Sequence, residues 1–117
     1  MDNIKSLTIF FDDQECITFE NNEIDEFFVS KNDNKNTIIL VLNQSANREY
    51  HPLDIELIKV PAFNRIKRFN DITKIKLLHT DETEEVFNIN WDAEDEFENI
   101  KQSTLIKNEK LILNIEL

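Results

Sequence analysis

The chain has no glycine, two prolines and one cysteine among its 117 residues. Lacking glycine, it can build neither a phosphate-cradling glycine loop nor the sharp glycine bend of a calcium loop. Its turns must use Asn and Asp, which tolerate left-handed backbone better than other residues. Clusters such as Asn21-Asn22 and Asn32-Asp33-Asn34 stand where turns are needed. The single Cys16 rules out an internal disulfide. Its alternation with Ile17 and Phe19 places it on a strand, and Glu15 stands beside it instead of an activating base, so a structural thiol is expected. No segment approaches the roughly twenty apolar residues that cross a bilayer. The acidic start with its short apolar run does not resemble a secretory signal. A soluble, cytoplasmic protein away from anionic membranes is predicted.

Positive charge is missing from two long stretches. Seven acids lie between Asp12 and Glu26 and nine between Asp81 and Glu98, with no Lys or Arg in either. The formal net charge is −11. Disorder is nonetheless not expected, because nine Phe and sixteen Ile supply a stiff apolar core. One domain covering 1–117 fits this length.

The hydrophobic pattern is that of strands. Ile4 to Phe11 and Glu15 to Glu20 alternate about a turn at Asp12-Asp13-Gln14, which reads as a hairpin. Glu23 to Ser30 fits either a helix turn or a strand. Thr37 to Leu42 is a short β-branched apolar run, expected as a central strand. Leu53 to Val60 alternates again, and Phe63, Ile66 and Phe69 suit a short helix after Pro61. Ile72 to His79 and Glu85 to Trp91 form a second hairpin about Thr80 to Glu84. A last hairpin turns at Asn108-Glu109. The fold class predicted is mainly β: a single-domain sandwich or open roll of about seven or eight strands built from hairpins, with one or two short helices. The first two clear hairpins also match each other as a weak internal repeat, with a gap of two at the turn.

The residues of chemistry form no constellation. His51 and His79 stand alone, and no His-x-x-His or Cys-x-x-Cys occurs, so neither metal nor cofactor is expected. No spacing selects a nucleophile, base and orienting group from the Ser, His and Asp present. An enzyme is therefore not expected. The island Lys59, Arg65, Lys67, Arg68, Lys74 and Lys76, interleaved with Phe63 and Phe69, admits phosphate contacts and base stacking. It is weighed against internal pairing of those cations with the chain's own acids, and pairing is favoured because nucleic-acid binders are basic overall.

The acids themselves admit two readings. They either decorate a solvated surface or form a recognition array. Same-face acids on a strand repeat at about 6.6 Å, close to phosphates along one nucleic-acid strand, so the array could fill a basic channel. Trp91 and Phe97 would add an apolar anchor to it or belong to the core.

The C-terminal third carries a pattern. Asp71-Ile-Thr-Lys-Ile-Lys-Leu runs to Glu84-Glu85-Val-Phe-Asn-Ile-Asn-Trp91, then Glu96-Phe-Glu-Asn-Ile-Lys-Gln102 and Leu111-Ile-Leu-Asn-Ile115. It resembles small acidic proteins of phages and mobile elements of Gram-positive bacteria, in which a hairpin is followed by Trp, an acidic stretch and a last apolar strand. Where related chains often have Asp-Gly, this one has Asp81-Glu82. Some such proteins inhibit CRISPR nucleases or restriction enzymes, several as DNA mimics. The resemblance implies that setting without identifying a target; taken with the acidic stretches, the expected function is an acidic inhibitor of a basic, nucleic-acid-handling host protein, most plausibly a CRISPR effector nuclease. The expected partner-binding residues are Asp81, Glu82, Glu84 and Glu85 at the hairpin tip, and Asp92, Glu94, Asp95, Glu96 and Glu98 after it. Direct nucleic-acid binding is not expected. The alternative is a self-associating structural or accessory phage protein, a homo-oligomer in which strand edges or an apolar patch matter more than acids.

Overall fold

A computed structural model describes residues 3–12, 14–32, 35–50, 60–68, 72–89 and 102–117. Its strands are β1 (Ile4–Phe11), β2 (Cys16–Glu20), β3 (Ile24–Asn32), β4 (Lys35–Leu42), β5 (Glu49–Tyr50), β6 (Val60–Pro61), β7 (Ile72–His79), β8 (Glu84–Asn88), β9 (Gln102–Lys107) and β10 (Lys110–Glu116). The one α-helix among the described residues is α1 (Ala62–Arg68). Eight strands make two antiparallel four-stranded sheets, ordered β2-β1-β7-β8 and β3-β4-β10-β9, and β5 and β6 form a two-residue pair. The predicted mainly β, open-sheet fold is what is found.

Alternation decides which residues face inward. Leu7, Ile9, Ile17 and Phe19 of the first sheet join Ile38, Leu40, Leu113 and Ile115 of the second in one buried cluster. Phe27 of β3 and Phe87 of β8 bridge the sheets, with ring centroids 5.9 Å apart. The ambiguous segment after Glu23 is strand: Phe27 pairs with Leu40 and Val29 with Ile38, so tertiary burial overrides its local helix pattern. The apolar run Thr37 to Leu42 sits in the centre of its sheet as expected. The second hairpin's outer strand is shorter than its sequence pattern suggests and ends at Asn88, although Ile89 beyond it is still buried. Trp91, Phe97, Phe69 and the run Leu53 to Lys59 lie outside the described residues.

The internal repeat runs deeper than the sequence match. Each sheet is arranged about a local two-fold axis, β1 against β7 in one and β4 against β10 in the other, with the hairpin partners outside. The first unit, β1 to β4, and the second, β7 to β10, each give one hairpin to each sheet. The two loops are equivalent in detail. Phe11 N–H donates to Glu15 O and Gln14 N–H to Phe11 O; His79 N–H donates to Thr83 O and Glu82 N–H to His79 O. Gln14 and Glu82 both hold positive φ, as the last residue of a three-residue hairpin loop requires. The register shifts of the β1–β7 pair also fall at equivalent places, at Lys5 and at Thr73. The gap of two in the sequence match is therefore wrong. Equal loop lengths put Phe19 opposite Phe87 in the alignment. A two-residue slip hid this because it leaves the inward phase unchanged.

Two arginines tie the segment between the units onto the first of them. Arg48 lies 5.1 Å from the Phe19 ring centroid and donates to Glu23 at 2.8 Å and to the Thr18 carbonyl. Arg65 of α1 lies 4.0 Å from the Phe11 ring and donates to Glu15 at 3.3 Å. Glu15, Glu23 and Arg65 are buried. A buried charge is tolerable only when paired, so these Arg–Glu–Phe clamps are obligatory once the connector packs down.

Candidate partner-binding surface

The hairpin β7–β8 carries four of the predicted binding residues. Its register pairs Leu78 with Glu84 and Leu77 with Glu85. Asp81 and Glu82 lie in the loop, and Glu84 and Glu85 open β8, an edge strand. Consecutive residues of a strand point to opposite faces. Glu84 and Glu85 therefore do not share one face, and the tip is a knot of carboxylates, not a straight ladder.

Each of the four has a partner. Asp81 folds back on its own loop, accepting from the Thr83 N–H at 3.0 Å and from the Thr83 hydroxyl. Those two bonds hold its carboxyl below the usual carboxylate range. Glu82 meets Lys5 at 3.2 Å and Glu84 meets Lys76 at 3.1 Å. Glu85 lies 3.2 Å from His79 Nε2, while Nδ1 of that ring lies 3.3 Å from the Asn3 carbonyl. The first acidic stretch is treated the same way. Glu15 pairs with Arg65, Glu23 with Arg48, and Asp25 with Lys110 at 2.7 Å. Lys110 draws the Asp25 carboxyl down, aided by the Asn43 amide, and Asp25 in turn raises the Lys110 ammonium.

Five acids of the two stretches, Glu15, Glu23, Asp25, Glu82 and Glu84, thus meet a Lys or Arg that the fold brings to them. The basic island takes part in this. Arg65 and Lys76 pair with acids, and Lys74 sits 4.3 Å from the Phe10 ring centroid. Lys59, and the side chains of Lys67 and Arg68, lie outside the described residues. So do Asp92, Glu94, Asp95, Glu96 and Glu98.

Exposure separates the tip from the clamps. The Glu82, Glu84 and Glu85 side chains are 73%, 53% and 52% exposed, against 9% for Glu15. Exposed pairs contribute about 0–1 kcal/mol, so the tip acids exchange partners at little cost and the buried ones do not.

Two further surfaces stand apart from the acids. Cys16 is exposed at the edge of the first sheet, because Ile17 and Phe19 take the inward phase of β2, as the alternation of that strand indicates. Beside it in register stands Phe10, and beyond Phe10, Lys74. The outer face of the second sheet bears Phe28, Ile39, Val41, Ile112 and Leu105 on its four adjacent strands. The run Thr37 to Leu42 signalled burial without showing that its odd-numbered residues face outward.

Among the described residues no group of three or more His, Cys, Asp or Glu is placed to hold a metal ion. Among them, too, no helix is long and apolar enough to cross a membrane. No protein-family model, curated protein or solved structure matches the chain.

Proposed function

We propose that this protein is a binding module without catalytic activity, an acidic phage-type inhibitor that docks on a basic, nucleic-acid-handling host protein. A CRISPR effector nuclease is the partner class that suits it best. The observation that supports this is the β7–β8 tip, where carboxylates more than half exposed are held on a stiff hairpin by weak, replaceable pairs. An arginine of a partner takes the place of Lys5 or Lys76 with little loss, and gains the bidentate geometry that Lys lacks. A net charge of −11 steers a cationic surface toward the tip and speeds the encounter. The five acids from Asp92 to Glu98 follow the hairpin directly in the chain and extend the same charge. Recognition by exchange replaces mimicry by a bare phosphate-like row, because each tip acid already has a partner.

The test is retention of a purified Cas9-type nuclease on the immobilised chain, with its DNA cleavage measured alongside. Retention at about 0.1 M salt that is lost near 0.5 M is expected. Glu82→Lys combined with Glu84→Lys should abolish retention and restore cleavage, while Glu109→Lys, on the far β9–β10 turn, should change neither. Retention that survives the tip reversal, or none at low salt, refutes the reading.

A further inference from the structure

The two-fold arrangement supplies an internal control for every outward-facing position. A residue of β3–β4 and its counterpart in β9–β10 occupy the same place in the same sheet, so strand pairing makes the same demands on both, although the connector's Arg48 and Arg65 pack onto the first unit. On the inner face the two central strands meet the demands alike, Ile38 corresponding to Leu113 and Leu40 to Ile115, all four fully buried, while Phe27 and Val29 of β3 correspond to Gln102 and Thr104 of β9. On the outer face they diverge. Ile39 corresponds to Asn114, Val41 to Glu116, Ile112 to Thr37 and Leu105 to Ser30. Phe28 corresponds in register to Ser103. One half of this face is therefore apolar and the other polar. The polar half shows that strand pairing by itself does not call for apolar side chains at these positions. Phe28 and Leu105 remain 46% and 56% exposed, and a contiguous apolar face of this kind marks an interaction surface.

The margins of the patch indicate what covers it. Glu26 stands at the β3 margin, in register with Val41. Lys107 stands at the β9 margin, two residues beyond Leu105 on the same side of the strand. Acid and base thus flank one apolar strip on opposite sides. Two such strips brought face to face about a two-fold axis along the strands set the β3 margin of one copy over the β9 margin of the other. Glu26 of each copy then lies over Leu105 of the other, with Lys107 two residues further along within reach of its carboxylate, and the contact occurs twice as the self-complementarity of an isologous interface requires.

We infer that the apolar half of the outer face of the second sheet, lined by Phe28, Ile39, Ile112 and Leu105 around the already buried Val41, is a docking surface for a second copy of this chain. Two chains of −11 repel each other, so the dimer is weakest at low salt and tightens as salt screens that repulsion. This is the opposite of the salt dependence expected of a basic partner at the hairpin tip, and neither result bears on the other.

Sedimentation of the full chain over a range of concentrations, at low and at high salt, tests this. The 13.9 kDa chain should approach twice its mass, and do so at lower concentration in high salt. Ile112→Thr, Ile39→Asn and Leu105→Ser import the residues of the counterpart positions, which the fold accepts. Each should raise the dimer dissociation constant by about tenfold. Glu26→Lys and Lys107→Glu should each weaken the dimer, and the double charge swap should restore it. Circular dichroism checks that the variants fold. A wild-type chain that stays at monomer mass throughout overturns the inference. So does a dimer that is indifferent to these substitutions, or a charge swap that fails to rescue.

Discussion

Gln14 and Glu82 hold the same left-handed backbone at the same place in two different hairpins, at φ of 69° and 71°. Neither is glycine, the residue best suited to such a site. Left-handed backbone costs a β-carbon-bearing residue roughly 1–2 kcal/mol, and the chain bears this cost twice in matching loops.

Gln14→Gly should therefore stabilise the protein. Relief of the left-handed strain exceeds the added freedom of the unfolded chain, leaving a net gain on the order of 0.5–1 kcal/mol. Glu82→Gly should gain the same or slightly less, because it also gives up the exposed pair with Lys5. Urea midpoints of the two variants measure this. A loss of stability in both would show that the loops are not strained.

Removing one member of the Glu15–Arg65 pair should be far more costly than removing Lys5. Both clamp residues are buried, with Arg65 also packed on Phe11. An orphaned buried charge costs about 3–5 kcal/mol, whereas Lys5→Ala should cost about 0–1 kcal/mol. A double-mutant cycle with Glu15→Leu and Arg65→Met should give a double variant less destabilised than the sum of the singles. Strict additivity would mean that the two groups are not coupled.

The Asp25–Lys110 pair should make stability fall at both ends of the pH scale. The Asp25 carboxyl titrates below its ordinary 3.8 in the folded state, chiefly through its bond to Lys110. Its contribution is present above that value and lost as pH drops through the lower folded one. Lys110 titrates above its ordinary 10.5. Its contribution is present below 10.5 and lost as pH climbs through the higher folded value. Asp25→Asn should lower the urea midpoint at neutral pH, and its difference from wild type should close in strong acid. A difference independent of pH would remove the charge from the explanation.

Cys16 should react with a thiol reagent in the native protein as fast as after unfolding, one equivalent per chain, because its side chain is exposed. Protection until denaturant is added would place the thiol inside.

The fold was legible where the sequence alternates over whole strands. Ile4 to Phe11, Ile72 to His79 and Leu111 to Glu116 carry the period of two that a half-buried sheet imposes, and their turns announce themselves through Asp and Asn. The segment Glu23 to Ser30 was ambiguous because Ile24, Phe27 and Phe28 fit a helix turn while Phe27 to Val29 fits a strand. The charge was legible in amount but not in disposition. The alternation puts Glu15 on the face of Ile17 and Phe19, but nothing local tells that an arginine from α1 will meet it there, or that Lys5 will reach Glu82. The first contact is set by the docking of α1 and the second by the pairing of β1 with β7, and chain-distant contacts leave no short-range mark. The divided outer face of the second sheet was invisible for the same reason, since its apolar members come from four strands.

The central strands of both sheets join segments far apart in the chain, β1 with β7 and β4 with β10. A ribosome that has completed only the first unit has made half of each sheet, with one side of β1 and of β4 still waiting for hydrogen-bond partners. Neither half-sheet can close on itself, and contacts so distant along the chain make folding slow. Neither sheet is therefore complete before β7 and β10 have emerged. Until then the nascent chain depends on its acidic residues to keep the open edges from meeting those of its neighbours.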